Sequence, residues 1–181
     1  ADFYSHPVWC LNSLFTLYDS HSIRQRSCLV ESILAYNLTS VVDMGGGYGV
    51  FVTLLKKASS SIKVILCEPY INNDISTYLN SQLIDIVDKP PAGISAYLFV
   101  DVLEHCTAPI QYLREALNNS RLGSFYFIGN CFQPVIKCHL PSTFYLRYTF
   151  PIAAYLLGLY SIGSVPGARY IKIYKLVRTP I

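Results

Sequence analysis

Short apolar runs alternate with segments of helical spacing along most of the chain. Five runs are rich in apolar residues and predict strands buried on both faces of a sheet: residues 40–42, 63–67, 83–87, 96–100 and 124–129. The segments between them predict helices over residues 19–36, 50–57 and 109–117, with a further short helix that ends at Leu79. Strands that alternate with helices favour an α/β architecture with a parallel sheet.

The last third of the chain predicts a helix over residues 150–157 and then two strands. Residues 160–162 and 168–177 are aromatic and β-branched, and a Pro–Gly turn within residues 163–167 separates them. Two such runs about a short turn are typical of an antiparallel hairpin. Residues 1–20, before the first predicted helix, are aromatic and irregular. They favour equally a helix packed on the sheet and a lid over a binding site.

The composition indicates one domain with a large apolar core. The chain has 181 residues, of which 52% are hydrophobic and 14% are charged. We therefore expect a single domain over residues 1–181, with an N-terminal helical segment (1–38) ahead of an α/β core (39–181). The high apolar fraction has two explanations, which are buried sheet strands and an apolar substrate pocket near the aromatic-rich ends.

Charge and cysteine usage exclude several classes of protein. The formal net charge of +3 comes from basic residues that do not cluster, so no nucleic-acid partner is expected. The six cysteines form no C-x-x-C pair and no metal-like spacing with histidine, which favours a reducing, cytoplasmic environment and no metal site. The most apolar stretch, residues 152–160, is far shorter than the ~20 residues that span a bilayer.

One loop carries the strongest functional signal. The sequence Asp-Met-Gly-Gly-Gly-Tyr-Gly at residues 43–49 lies between the first predicted strand and a helix start. Glycines there let the backbone turn tightly and approach a nucleotide-like ligand, to which the helix N-terminus presents backbone N–H groups. The next predicted strand ends at Glu68, at roughly the ~20-residue separation expected for an acid that binds a ribose.

A third motif gives these features a family resemblance. Residues 99–105 read Phe-Val-Asp-Val-Leu-Glu-His, which is similar to a D-V-L-E-H stretch after the fourth strand of many class I S-adenosylmethionine-dependent methyltransferases. The chain from about residue 40 onward resembles the small-molecule members of that family. The resemblance implies a Rossmann-like, doubly wound sheet of seven mostly parallel strands with an antiparallel C-terminal strand. It also implies S-adenosylmethionine as cofactor and S-adenosylhomocysteine as product.

The resemblance assigns roles to residues at the ends of the predicted strands. Glu68, with Pro69 beside it, is expected to bind the ribose, and Asp43 is expected to organise the loop near the methionine ammonium. The glycines contribute backbone, Asp85 lies where adenine contacts are expected, and the end of the fourth strand lies along the methionine. The implied cofactor set is Asp43, Gly45, Gly46, Gly47, Gly49, Glu68, Pro69, Asp85, Val100, Asp101 and Val102.

Two histidines are candidate general bases. His105 ends the third motif, and His139 lies on the loop after the fifth predicted strand, where the family often builds its acceptor pocket. Such a base matters only when the acceptor must lose a proton, because the sulfonium is already activated and positioning supplies much of the rate. We expect the pocket between the N-terminal aromatics and residues 133–148, with Arg147 or His139 as a polar anchor for an apolar or aromatic acceptor.

Three functions stay open at this point. The first is methyl transfer to a small molecule, and the second is a cofactor-binding but inactive domain that serves as a partner or regulatory subunit. The third is an NAD-dependent oxidoreductase. It fits less well, because Val50 stands where glycine or alanine is expected and residues 99–105 are left unexplained. DNA methyltransferases are set aside, since residues 101–104 lack their Pro-Pro-aromatic segment and no proline precedes Cys106. Homodimerisation is left open.

Overall fold

The elements of the chain alternate as the sequence predicts. A computed structural model describes residues 20–71, 73–129 and 145–179. Its helices and strands in chain order are α1 (Ser20–Ala35), β1 (Ser40–Met44), α2 (Val50–Ala58), β2 (Lys63–Cys67), α3 (Asn73–Ser81), β3 (Asp85–Val87), β4 (Ala96–Val100), a 3₁₀ turn (Leu103–His105), α4 (Pro109–Asn118), β5 (Phe125–Gly129), α5 (Leu146–Leu156), β6 (Leu159–Val165) and β7 (Ala168–Leu176).

These strands form one mixed sheet. Its seven strands lie in the order β3-β2-β1-β4-β5-β7-β6. Neighbouring strands from β3 to β5 pair in parallel, whereas β7 runs antiparallel to both β5 and β6. The predicted Rossmann-like α/β fold, with an antiparallel C-terminal strand, is confirmed. The winding reverses at β1, which lies between β2 and β4, and ligands of such sheets bind at the carboxyl ends of the strands beside this point.

Helices cover both faces of the sheet and bury two apolar clusters. On one face, α1, α2 and α3 pack Leu29, Ile33, Val52, Leu55 and Leu79 against strand residues that include Val41 and Leu66. On the other face, α4 and α5 pack Leu113, Leu117, Phe150 and Ala154 against residues that include Val42, Tyr97 and Tyr126. Strands buried on both faces read as continuous apolar runs. This is why the runs at β2 and β4 predict those strands with their observed bounds.

Strand β3 is shorter than the sequence predicts. The apolar run begins at residue 83, but Leu83 has a φ of 58° and belongs to the end of α3. The Leu83 amide donates to Asn80, and the Ile84 amide donates to Leu79. These two bonds close the helix in a Schellman arrangement. The chain therefore extends only from Asp85, and the predicted start of this strand at residue 83 is wrong.

The C-terminal elements also differ in their bounds. Helix α5 begins at Leu146 rather than at residue 150, so Pro151 lies inside it. Strand β6 continues to Val165. Its pairing with β7 shifts register at Gly163, where a bulge accommodates one extra residue of β6, so the strand does not end at this glycine. The turn is consequently confined to Pro166 and Gly167, and the predicted hairpin is confirmed.

Some predicted features lie outside the described residues. They are the N-terminal aromatic residues, His139 and most of the predicted acceptor loop. Within the described part of the chain, no helix has the length and apolarity needed to cross a membrane. The same part contains no cluster of three or more His, Cys, Asp or Glu side chains arranged to hold a metal ion.

Candidate functional site

Three acidic side chains lie close together at the carboxyl ends of β1, β2 and β4, beside the point where the winding reverses and where such sheets have their ligand-binding cleft. Asp43 lies near the end of β1, Glu68 directly follows β2 and Asp101 directly follows β4. Asp43 pairs in register with Leu66 of β2 and with Leu98 of β4, so the strand that carries it is held on both sides. Both other carboxylates act electrostatically on Asp43. The predicted residues Asp43, Glu68 and Asp101 therefore lie close together, and their role in cofactor binding stays a prediction.

The glycine loop joins β1 to α2 at the floor of this cleft. The Gly45 amide donates to the Cys67 carbonyl at 2.8 Å, which ties the loop to the end of β2. A Cβ at Gly45 would collide with Val102, so the loop also packs against the segment that follows β4. Helix α2 starts at Val50 after Gly49, and no side chain caps its first turn. Its N-terminus, which carries a partial positive charge, is thus directed at the cleft.

Two neighbouring glycines of the loop are needed for different reasons. A Cβ at Gly46 would meet the Asp43 carboxylate and approach Leu66 Cδ1 to 2.7 Å, so glycine there is a packing requirement. Gly47 has a φ of +56°, and a Cβ built on it would meet no other described residue within 4 Å. The loop therefore leaves open space directly above Gly47, where a ligand can approach the backbone closely.

Glu68 connects the glycine loop to the turn after β2. One carboxylate oxygen accepts the Gly47 amide at 3.1 Å, and the other accepts the Tyr70 amide at 3.1 Å. Burial raises the pKa of Glu68, and these two backbone hydrogen bonds oppose the rise. Each oxygen has a second lone pair, so the carboxylate can hold the loop and still accept from ligand hydroxyl groups.

Asp43 is the most deeply buried of the three acidic residues. Its side chain is only 5% exposed. Burial raises its pKa from 3.8 to about 7, the charge of Arg26 opposes the rise, and the charges of Glu68 and Asp101 add to it. A carboxyl group in this state gains most from a cation, because a positive charge restores its ionised form.

Asp101 has a strained backbone at the opposite wall. Its φ of 59° lies in the left-handed region, which aspartate tolerates at a cost. Solvent reaches the side chain, yet desolvation by the surrounding protein still raises its pKa, and the charge of Arg26 opposes this. The carboxylate is therefore accessible to solvent yet surrounded by enough protein to disfavour its charge. Such strain is retained where a side chain must point in a defined direction.

The structure adds Arg26, which the sequence motifs do not reveal. It lies on α1, half-buried, and its charge acts on both Asp43 and Asp101. It precedes the buried residues Leu29 and Val30 by three and four positions, so it shares their face of the helix. That spacing is the signal in the sequence that identifies Arg26 as facing the sheet.

Tyr112 of α4 is a second residue that the motifs do not indicate. Burial raises the pKa of Cys67, the last residue of β2, and the neighbouring Tyr112 side chain opposes that rise. Burial raises the pKa of Tyr112, and the charges of Glu68 and Asp43 add to this rise, so the ring lies close beneath the acidic cleft. The Phe99 ring packs edge-on against it at 5.7 Å between centroids.

The third sequence motif turns back toward the cleft after β4. Val102 contacts the glycine loop, and the His105 amide donates to the Val102 carbonyl at 3.0 Å to close the 3₁₀ turn. Glu104 is buried, which raises its pKa to about 8, while the backbone amides of Glu104 and Val102 oppose the rise. His105 is half-buried. Its role as a general base remains a prediction.

Asp85 stands apart from the other predicted cofactor residues. Its carboxylate forms an ion pair with Lys63 Nζ at 3.2 Å, and Lys63 is the first residue of β2. The structure therefore directs this side chain toward the amino end of the neighbouring strand. Pro69 is exposed in the turn after Glu68, and Val100 packs into the core on the side of α1. His139 lies outside the described residues.

Comparison with solved structures agrees with this arrangement. The mitomycin 7-O-methyltransferase MmcR superposes with a TM-score of 0.71 at 19% identity, over 97% of this chain and 60% of that chain. This is the class I methyltransferase fold. The resemblance seen in the motifs is thereby confirmed at the level of the fold.

Other solved structures with the methyltransferase fold are also similar. PigF with S-adenosylhomocysteine matches with a TM-score of 0.61 at 14% identity, over 84% of this chain and 54% of that one. The O-methyltransferase NcsB1 in complex with S-adenosylmethionine and 2-hydroxy-5-methyl naphthoic acid matches with a TM-score of 0.59 at 17% identity, over 97% of this chain and 62% of that one. The chain thus spans about 60% of the length of the structures that it resembles. No protein-family model and no curated protein matches the sequence.

Proposed function

We propose that this chain binds S-adenosylmethionine at the carboxyl ends of β1, β2 and β4 and transfers its methyl group to an oxygen of a small acceptor. The observation that carries the proposal is the set of charges around the glycine loop. Three carboxylates and one guanidinium lie close enough to interact beside the loop, solvent reaches Asp101, and no described residue occupies the space above Gly47.

The charges of the cleft are complementary to those of this cofactor. S-adenosylmethionine carries a sulfonium and an ammonium, one carboxylate and two ribose hydroxyls. Asp43 and Asp101 supply negative charge for the cationic groups, and Arg26, whose charge acts on both, supplies donors for the carboxylate. Glu68 retains acceptor capacity for the ribose. A nicotinamide dinucleotide would instead place two phosphates beside this acidic cluster, which disfavours the oxidoreductase alternative.

The residues of the site need only bind and orient the reacting groups. When bound, the cofactor supplies a methyl group already activated on its sulfonium. The glycine loop and Glu68 fix the nucleoside end, while Asp43, Arg26 and Asp101 fix the methionine end. The direction of the methyl–sulfur bond is then set by rigid strand ends, and this alignment supplies much of the rate. An acceptor hydroxyl loses its proton to solvent or to a base, for which His139 and His105 are the candidates.

Similar structures support an aromatic acceptor and an oxygen as its methylated atom. MmcR is a 7-O-methyltransferase, and NcsB1 was crystallised with naphthoic acids. The exposed rings of Tyr145 and Tyr148 offer suitable surfaces for such a molecule. A homodimer and a cytoplasmic location remain predictions.

A turnover screen with isotopically labelled S-adenosylmethionine tests the proposal. We expect label to transfer to a phenol or a hydroxynaphthoic acid, detected as a methyl ether by mass spectrometry. Amines, sugars and aliphatic acids serve as comparison acceptors. Asp101→Asn should reduce the turnover, because it removes a charge that faces the cationic end of the cofactor. Cofactor binding without turnover on any acceptor would instead favour the inactive regulatory domain.

A further inference from the structure

A second cavity lies at the amino end of the sheet, opposite the glycine loop. Its volume is about 460 Å³, and its lining includes Thr39, Ser95 and Ser124. These three residues directly precede β1, β4 and β5, which are neighbours in the sheet. It is a depression open to solvent rather than an enclosed pocket.

The hydroxyl groups of this cavity form a directed hydrogen-bond network. Ser40 Oγ donates to Ser95 Oγ at 3.2 Å, and an Arg121 guanidinium nitrogen donates to the same oxygen at 3.3 Å. Both lone pairs of that oxygen are therefore used. The Ser95 proton must then go to Thr39 Oγ1, 2.9 Å away, which leaves the Thr39 hydroxyl as a donor at the cavity wall.

One cation lines this cavity, and a second lies beside two of its lining residues, Gly123 and Phe125. Arg121 lines it, and among the described residues its guanidinium donates only to Ser95. Lys175 pairs in register with Phe125, another lining residue, and places its Nζ 5.6 Å from the centre of that ring. Lys175 Cε lies 4.0 Å from the position of a Cβ on Gly123. Within the described part of the chain, neither cation forms an ion pair with a carboxylate, and no acidic residue lines the cavity.

We infer that this cavity is a binding site for a small molecule that carries a phosphate group. A guanidinium fork, an ammonium and a hydroxyl donor form the donor set that recognises a phosphate dianion, and Arg121 is held in place by Ser95. Leu38, Leu122 and Phe125 add apolar wall for the remainder of the molecule. This cavity lies at the amino ends of the strands and the proposed cofactor site lies at their carboxyl ends, so the two sites hold different ligands.

Titration of the full chain with inorganic phosphate tests this inference. We expect saturable ¹H–¹⁵N NMR shifts at the amides of Ser95, Gly123 and Ser124, at constant ionic strength maintained with chloride. Arg121→Gln should weaken phosphate binding at least about tenfold, the effect of losing a charge-assisted contact. Arg114→Gln removes another exposed arginine, from α4, and should leave the affinity unchanged. Lys175→Gln, an exposed change on β7, should weaken binding to a smaller extent.

Several outcomes would overturn the inference. Equal affinity of Arg121→Gln and Arg114→Gln for phosphate would show that the guanidinium does not bind it. Non-saturable shifts spread over the surface would show only a general attraction of anions to a basic protein. Acetate binding as tightly as phosphate would remove the phosphate preference. Competition by S-adenosylhomocysteine would place the phosphate at the glycine loop instead.

Discussion

Replacement of Asp43 by asparagine should stabilise the free protein while it weakens cofactor binding. Asp43 is 5% exposed at the end of β1, and its side chain contacts the position where Gly46 lacks a Cβ. Asparagine has nearly the same shape and no charge, so Asp43→Asn tests the cost of ionising this group. A more stable variant would show that the buried Asp43 charge destabilises the free protein and that a cationic cofactor offsets this cost.

The magnitude follows from the pKa of Asp43. Burial raises it from 3.8 to about 7. Ionisation is therefore harder in the folded chain than in the unfolded chain by roughly three pKa units, at ~1.4 kcal/mol each. For a carboxyl group with a raised pKa, the contribution to stability is fully present below pH 3.8 and is lost as the pH rises to about 7. The cost of the charge above that pH is about 4 kcal/mol, and asparagine avoids it.

Chemical denaturation of the wild type and of Asp43→Asn at several pH values measures this cost. The variant should have the larger free energy of unfolding near pH 8, and the difference should shrink steadily as the pH falls toward 4. Asp88→Asn changes an exposed carboxylate in the loop after β3 and should show neither effect. A variant no more stable than the wild type near pH 8, or a difference independent of pH, would refute the reasoning.

The remaining predictions concern cofactor binding and turnover. Glu68→Ala should weaken S-adenosylmethionine binding by about 1.5–3 kcal/mol, as hydrogen bonds to a charged group are lost, and an unchanged Kd would remove Glu68 from the site. Gly47→Val should abolish binding of S-adenosylmethionine. Gly93→Val, at another position with positive φ and no described neighbour near its Cβ, should introduce similar backbone strain and leave binding normal. Equal binding by both variants would make the glycine loop a simple turn. Arg26→Gln should weaken binding of S-adenosylmethionine but not of adenosine, which lacks the methionine, and equal losses for both would assign Arg26 a purely structural role. His139→Ala should lower kcat by roughly 10²–10⁴-fold with unchanged cofactor affinity if His139 is the general base, and near-wild-type turnover would point to His105 or to positioning alone.

The fold could be predicted largely because the sheet is buried on both faces. Strands buried on both faces are apolar over their whole length. The apolar runs 63–67 and 96–100 therefore begin and end where the observed strands do. The predicted start of β3 at Leu83 was wrong for a local reason. Leu83 is apolar like the strand that follows, and the apolar pattern does not reveal that its backbone is left-handed and closes a helix. Gly163 extended β6 in the same way, through a bulge that no hydrophobic pattern records.

The cofactor cleft could be predicted only in part. Asp43, Glu68 and Asp101 follow strands that the sequence identifies, and parallel strands end at the same edge, so their convergence follows from the topology. Arg26 reaches the cleft through the packing of α1, which no motif within residues 43–49 or 99–105 encodes. Asp85 pairs with Lys63, which no sequence motif indicates, and its contact with adenine stays a prediction.

Calorimetric titration with S-adenosylmethionine, S-adenosylhomocysteine and NAD tests the central claim most directly. The site as described predicts saturable binding of both S-adenosyl compounds at one site. It predicts tighter binding of S-adenosylmethionine, whose sulfonium adds a positive charge beside Asp43 and Asp101, and no binding of NAD. Binding of NAD with no response to either S-adenosyl compound would contradict the account.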